Sequence, residues 1–525
     1  MEFRRPLPFL NGNGPRPHPR LPSKFRDSSR IRAWRTPIIR SLRPAGSLTL
    51  AAGMLLLAAG GTQAATAAPS KPGLHLLVAS NTVTLDTTPN SRGVELYLGT
   101  YLGATGAPFE IQVKRRSYGD PVVATQIIRQ GGKVRTRTLP RSMVGDFLGL
   151  KKFLHVTLTD ARGKKVLERD QAICPAGEGA RTEPGGPSTS PYPVGCAGNP
   201  FTLGSVWGIQ RGWAIPARSD ENEKPVKLAV GTYTATVTIN KAYRDLFGIP
   251  AKPRTVRVTV RMRQDDERPH PRKSAPTLRA ASRPTGPNVV PKGPKPDLRS
   301  LPAWNIKLTD GRGDGHPAAT KKDYLAFSAN VWNAGPSPLV VDGFRVKQGL
   351  MDAYQYFYDA KGKQVGHAKT GTMEWDARDG HEHWHFTDFA SYRLLKADKK
   401  EVVRSQKEAF CLANTDAINY LVKNANWKPG NTDLHSACGD LSSLSVREVL
   451  DVGSGDTYSQ DLPGQSFDVT NLPNGTYYIQ VIANPARRLF ESDLKNNVAL
   501  RKVILSGKPG ARTVTVPPHQ LVNAP

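Results

Sequence analysis

The chain reads as all-β: two β-sandwich domains joined by a Pro-rich linker, behind an N-terminal signal segment. Three observations predict this. Short runs alternate apolar and polar residues with period two, the pattern of half-buried strands. The runs are punctuated by turn residues, of which the chain holds 48 Gly and 44 Pro. A chain of 525 residues also exceeds what a single ordinary core serves.

Residues 1–67 form the signal segment. The first 50 residues carry 11 Lys/Arg against 2 acids, and then "LTLAAGMLLLAA" at 48–59 supplies a short apolar core. Small residues at Ala65-Thr66-Ala67 complete a secretory signal. Twelve apolar residues are too few to span a bilayer comfortably. The expected location is therefore secreted and extracellular, with an uncleaved membrane anchor as the alternative. The Arg4-Arg5 pair leaves the Sec and twin-arginine routes both open.

Residues 73–263 form a basic β-sandwich, with strands such as "GTYTATVTI" at 231–239 and "RTVRVTVRM" at 254–262. The chain's net charge is +29, of which residues 301–525 contribute only +2. The basicity thus belongs to the first half. It suits an anionic cell-surface polymer as partner. Without aromatic-plus-basic interleaving or a nucleic-acid module, no specific nucleic acid is expected. Nothing in this region gathers catalytic residue types.

Residues 264–296 are Pro-rich and charged, a linker expected to be extended and poorly packed. Strands resume over 297–508 with "YLAFSANVWN" at 324–333, "TYYIQVIAN" at 476–484 and "NVALRKVIL" at 497–505, and 509–525 is a tail. The four cysteines lie in two pairs, Cys174 with Cys196 and Cys411 with Cys438, 22 and 27 residues apart. Neither pair has zinc-ligand spacing, and an exported chain favours two local disulfides.

The chemistry concentrates in "DGHEHWHFTDF" at 379–389, where His381, His383 and His385 alternate. A helix would send these side chains in divergent directions, whereas a strand puts them on one face. Same-face neighbours are roughly 6.6 Å apart on a straight strand. Bringing a third imidazole to the same point therefore requires a bulge or a sharp bend. The surrounding 374–388 segment is acidic, with Glu374, Asp376, Asp379, Glu382 and Asp388 against Arg378. Such a field would attract a cationic substrate.

From "PDLRSLP" at 296–302 through "EWDARDGHEHWHFTDFASYRLL", "QKEAFCLANTD", "GDTYSQDL" and "ESDLKNNV", residues 297–505 resemble the catalytic domain of the lysyl oxidases, the copper-dependent protein-lysine 6-oxidases. In place of the family's Trp-x-Trp-His lead, this chain has Glu374-Trp375-Asp376. The resemblance implies copper(II) on His381, His383 and His385. It also implies a lysine tyrosylquinone cofactor, cross-linked from Lys407 of "QKEAFCL" and Tyr458 of "GDTYS". The implied activity is oxidation of primary amines, including peptidyl lysine, to aldehydes with release of ammonia and hydrogen peroxide. Lys407 must act as a free amine when the cross-link forms, so its pKa should be depressed. Asp456 and Asp461 flank Tyr458 as candidate bases. A structural calcium is implied on Asp297, Leu298 (through its carbonyl), Glu491, Asp493, Asn496 and Asn497, an oxygen-only set. Two rivals stay open: a zinc hydrolase using the three-His site, and a non-catalytic copper-binding surface protein.

Overall fold

In the computed structural model the structure describes residues 72–89, 91–218, 224–263, 283–311, 322–359, 361–378, 381–405, 407, 409–429 and 436–525. The signal segment, Asp379 and residues 312–321 lie outside the described residues. The architecture is nearly all-β. Its single named helix, among the described residues, is Lys241–Phe247. No helix among them is long and apolar enough to cross a membrane.

The first half holds three sheets. Strands Gly231–Ile239 and Arg254–Met262 form where predicted and pair antiparallel. Val256, Val258 and Val260 are buried, while Arg257 and Arg261 alternate outward. Period-two patterning thus becomes one dry face packed into the core around Phe109, Phe153 and Trp207. The disulfide Cys174–Cys196 closes a loop beside it.

Three further sheets make up the second half. Tyr324–Asn333 is buried along its whole length, because it pairs on both edges and is covered on both faces. One neighbour is Ser454–Tyr458. A six-stranded sheet runs Ala409–Phe410, His383–Thr387, Gln364–Asp376, Leu350–Tyr358, Leu339–Lys347 and Ser445–Leu450 in spatial order. These sheets bring the histidine strand and the Tyr458 strand to one core around Trp384, Phe386, Phe410 and Tyr392. The expected tail instead continues the sheet, since Ala511–Thr515 pairs with Val498–Lys508.

Residues 283–296 of the linker are also packed. Val289 exchanges both backbone hydrogen bonds with His367, and Arg283 forms an ion pair with Asp352. Strand Gln364–Asp376 meets the histidine strand only over Met373–Asp376. Its earlier residues would otherwise present bare backbone donors and acceptors, and the linker covers part of that edge.

The two halves meet at a built junction. Leu203 N–H donates to Ile418 O at 2.8 Å, and Tyr420 N–H donates to Gly204 O at 2.9 Å. Phe201 packs with Leu301, Trp304, Trp332 and Ile418. The segment gripped here includes Asp416–Ala417, which pairs with Ser454 and Gly455 on the Tyr458 strand. A Cβ on Gly204 would sit 2.3 Å from Asn419 Oδ1 and 3.2 Å from Leu421 Cγ. Gly204→Val is therefore expected to cost about 1–3 kcal/mol through overpacking. Its thermal denaturation midpoint checks this: an unchanged midpoint would mean that the junction does not hold in solution.

Candidate active site

The histidine strand begins at His383, and His381 sits in the turn before it, with its N–H bonded to Arg378 O at 2.8 Å. The required departure from a straight strand is thus a turn and not a bulge. Alternation sends Trp384 and Phe386 into the core and leaves His383 and His385 on the other face. One nitrogen from each of the three rings lies within 4.8 Å of the others. His383 Nε2 and His385 Nε2 are 2.9 Å apart.

Asp376 orients this trio. It stands directly opposite His383 in the ladder. Its Oδ2 lies 3.4 Å from His381 Nδ1 and 3.3 Å from His385 Nδ1. Arg378 holds Asp376 in turn, through Nε–Oδ1 at 2.9 Å and Nη2–Oδ2 at 2.5 Å. Burial alone would raise the Asp376 pKa, but the Arg378 hydrogen bonds and charge outweigh it and hold the carboxyl ionised. An anionic acceptor at Nδ1 favours the tautomer whose Nε2 carries the lone pair. Burial, then the Lys407 charge, push His381 and His383 below the usual imidazole range, and His385 to about 2. The rings are therefore neutral.

A cation fits this arrangement. Neither nitrogen of buried His381 has a hydrogen-bond partner among the described residues. Asp376 lies at Nδ1 of His381 and His385, which leaves Nε2 of each as the donor atom. His383 Nε2 stands 2.9 Å from His385 Nε2, close enough for one cation to take both in place of their mutual hydrogen bond. Three imidazoles suit copper or zinc on donor type alone.

The second pair of predicted residues is brought beside the trio. Lys407 is 2 % exposed, and its Nζ is 5.0 Å from the centroid of the Tyr458 ring and 5.5 Å from that of Phe410. This Nζ has no hydrogen-bond partner among the described residues. Burial, reinforced by Arg378, lowers its pKa to about 8. Tyr458 donates to Cys411 O at 3.0 Å and receives the edge of Phe410 at 4.7 Å between centroids. Burial and the nearby Asp456 and Glu448 carboxyls push the phenol well above its usual range. The disulfide Cys411–Cys438 ties this segment to the histidine strand, because Cys438 O accepts Trp384 N–H at 3.0 Å.

Other expectations divide. Asp456 is buried beside Tyr458, but Asp461 is 68 % exposed and pairs with Lys307 at 3.2 Å, so it leaves the site. The strand ends at Tyr458, and the turn that follows carries Asp461 outward. The acidic field is weaker than its composition implied, since Arg378 neutralises Asp376 and Arg488 pairs with Asp388 at 3.2 Å. Period-two reading did not single out Asp376 as an orienting group or Glu448 as a buried acid. The signal for Asp376 was its two-residue spacing from Glu374, which matches that of the histidines it faces.

The oxygen-rich set is gathered at a separate place. Glu491 Oε2 accepts Leu298 N–H at 2.8 Å, and Glu491 Oε1 accepts Asn497 Nδ2 at 2.7 Å. Asn496 Nδ2 donates to Asp297 Oδ1 at 2.9 Å and to Asp493 Oδ2 at 3.3 Å. The Oδ1 atoms of Asn496 and Asn497 are buried with no partner among the described residues. Unpaired carbonyl oxygens beside three carboxylates fit a hard cation.

Comparison with known proteins converges on the same half. The lysyl oxidase family model matches residues 353–514. The chain is 31% identical over 133 residues to lysyl oxidase homolog 2 of Xenopus tropicalis, covering 25% of this chain and 15% of that protein. It is 32% identical over 131 residues to lysyl oxidase homolog 4 of Homo sapiens, with the same shares of 25% and 15%. The chain therefore spans about 15% of the length of these relatives. Asp297 and Leu298 precede the matched residues. The segment from 353 to 514, over which the chain is similar to the lysyl oxidase family, contains the histidine trio, Lys407 and Tyr458.

Proposed function

We propose that this protein is a secreted copper-dependent amine oxidase that forms lysine tyrosylquinone from Lys407 and Tyr458. It converts primary amines, including peptidyl lysine, to aldehydes, ammonia and hydrogen peroxide. The observation that carries this reading is the Lys407 Nζ to Tyr458 ring distance of 5.0 Å, beside three imidazoles that share one point. A zinc hydrolase or a copper store would need neither partner.

His381, His383 and His385 would hold copper(II), with Asp376, held by Arg378, setting the tautomers of His381 and His385. When bound, the metal and the quinone supply the redox chemistry, and the protein supplies position and electrostatics. With its pKa at about 8, Lys407 is half neutral near that pH and presents a nucleophilic amine. Cys411 O and Phe410 fix the Tyr458 ring in front of it. The test is peroxide release by the copper-loaded protein in air with a primary amine. Inhibition by phenylhydrazine, which traps quinone carbonyls, is expected; copper-loaded protein that releases no peroxide contradicts the reading.

The Asp297, Leu298, Glu491, Asp493, Asn496 and Asn497 cluster would hold a structural calcium ion. Calcium at 100 times its dissociation constant should stabilise the fold by about 2.7 kcal/mol. Chelation should lower the denaturation midpoint, and Glu491→Gln should abolish that response. A midpoint indifferent to calcium would remove the assignment. The basic first half would hold the protein to an anionic cell-surface polymer through charge.

A further inference from the structure

Two buried carboxyls beside Tyr458 have no role in the reading above. Asp456 is 3 % exposed and Glu448 is fully buried. They differ in what holds them. Glu448 Oε2 accepts Leu412 N–H at 3.0 Å. The carbonyl of that same peptide unit, Cys411 O, accepts the Tyr458 hydroxyl at 3.0 Å. Glu448 therefore steadies the peptide that steadies Tyr458, and the Cys411–Cys438 disulfide anchors it.

Asp456 lies two residues before Tyr458 on one strand, so both side chains leave the same face. Its carboxyl is engaged by the Ala413 backbone N–H and by Tyr458, while its buried Oδ2 has no partner in hydrogen-bond geometry among the described residues, as is the case for Lys407 Nζ. A buried carboxyl oxygen without a partner is costly and calls for an explanation in function. The groups that bear on Asp456 electrostatically are Tyr458 on its own strand, Asp416 on the paired strand, Glu448, Tyr392 and Lys407. Among them Lys407 is the one cation.

We propose that Asp456 is the catalytic base of amine oxidation, taking the proton from the substrate carbon that bears the nitrogen. That C–H bond breaks, its proton passes to the Asp456 carboxylate, and its electron pair reduces the oxidised ring derived from Tyr458. This requires the substrate nitrogen to be bonded to that ring in place of a carbonyl oxygen, which leaves as water. Water then breaks the carbon–nitrogen bond to release the aldehyde, and the nitrogen stays on the reduced ring and leaves as ammonia on reoxidation. Dioxygen, the co-substrate, takes the electron pair and two protons as hydrogen peroxide. The inference rests on the amine-oxidase reading. Burial raises the Asp456 pKa, which makes its carboxylate a stronger base than a solvated one.

The test uses the full copper-loaded chain carrying Asp456→Asn. The Lys407–Tyr458 cross-linked peptide is expected after digestion, and phenylhydrazine should still colour the protein. Amine-dependent peroxide release should fall about 10²–10⁴-fold. Asp456→Glu, which keeps the acid, should recover part of that loss. Turnover in Asp456→Asn within about threefold of the wild type would overturn the assignment, since a lost base costs far more. So would an intact cross-link with activity lost in Glu448→Gln but kept in Asp456→Asn. If Asp456→Asn does not fold, Asp456→Glu decides through the isotope effect of an α-deuterated amine. An increased effect supports the role, and an unchanged one overturns it. A wild-type protein without the cross-link would overturn the amine-oxidase reading itself and this proposal with it.

Discussion

Lys407→Met is expected to abolish amine-dependent peroxide release and the quinone absorbance while leaving the copper site loaded. The substitution keeps the bulk of the side chain and removes the amine that would bond to the Tyr458 ring. The Lys407 amine is 5.0 Å from the centroid of that ring, which Phe410 packs against at 4.7 Å. A second consequence separates this chemistry from simple misfolding. Lys407 is 2 % exposed, and burial holds its pKa near 8, below the ordinary lysine value of 10.5. Between those values the unfolded chain binds a proton that the folded chain does not, so wild-type stability rises with pH across that window. Methionine has no such dependence. In the metal-free protein Lys407→Met should therefore be more stable than the wild type at pH 7, with the gap closing as pH rises towards 10. Denaturation midpoints at several pH values measure this. A gap that widens with pH, or undiminished peroxide release, would contradict the role given to Lys407.

His383→Ala is expected to have the second largest effect. His383 is only partly buried, so alanine leaves a small defect in the fold. It removes one of three nitrogens within 4.8 Å of one another and leaves two. Loss of a group that merely orients a ligand typically costs 10–100-fold in metal affinity, so loss of a ligand should exceed about 100-fold. Competition with a chelator of known strength measures the change. The cross-link should also fail to form, since its oxidation depends on the metal. Wild-type copper affinity in this variant would move the metal site elsewhere.

Much of the fold was legible because it rests on local period. Tyr324–Asn333, Gly231–Ile239 and Arg254–Met262 form over the residues that their patterns marked. The histidine run was legible for the same reason: alternation decides which residues share a face. Both disulfides join cysteines that are near in sequence. The resemblance located Lys407 and Tyr458, which lie 51 residues apart in the chain. No period could have paired them.

What the sequence concealed depends on register and long-range packing. Asp376 faces the histidines because the Gln364–Asp376 strand places it opposite His383, and one residue of slip would turn it away. Glu448 and Asp456 look like ordinary acids in the chain, and only the packing of separate sheets buries them. The linker resembles a free segment by composition, yet the open edge at His367 supplies it with backbone partners. The junction at Gly204 carries no motif, because it consists of backbone hydrogen bonds to Ile418 and Tyr420 where the Asn419 and Leu421 side chains leave no room for a Cβ.

The most direct test of the account is a peptide map of the full chain after copper loading in air. Proteolysis followed by mass spectrometry should find the peptide containing Lys407 covalently joined to the peptide containing Tyr458, at a mass that reflects oxidation of the ring. The join should vanish in Lys407→Met. Recovery of the two peptides separate and unmodified from fully copper-loaded protein would contradict the central claim.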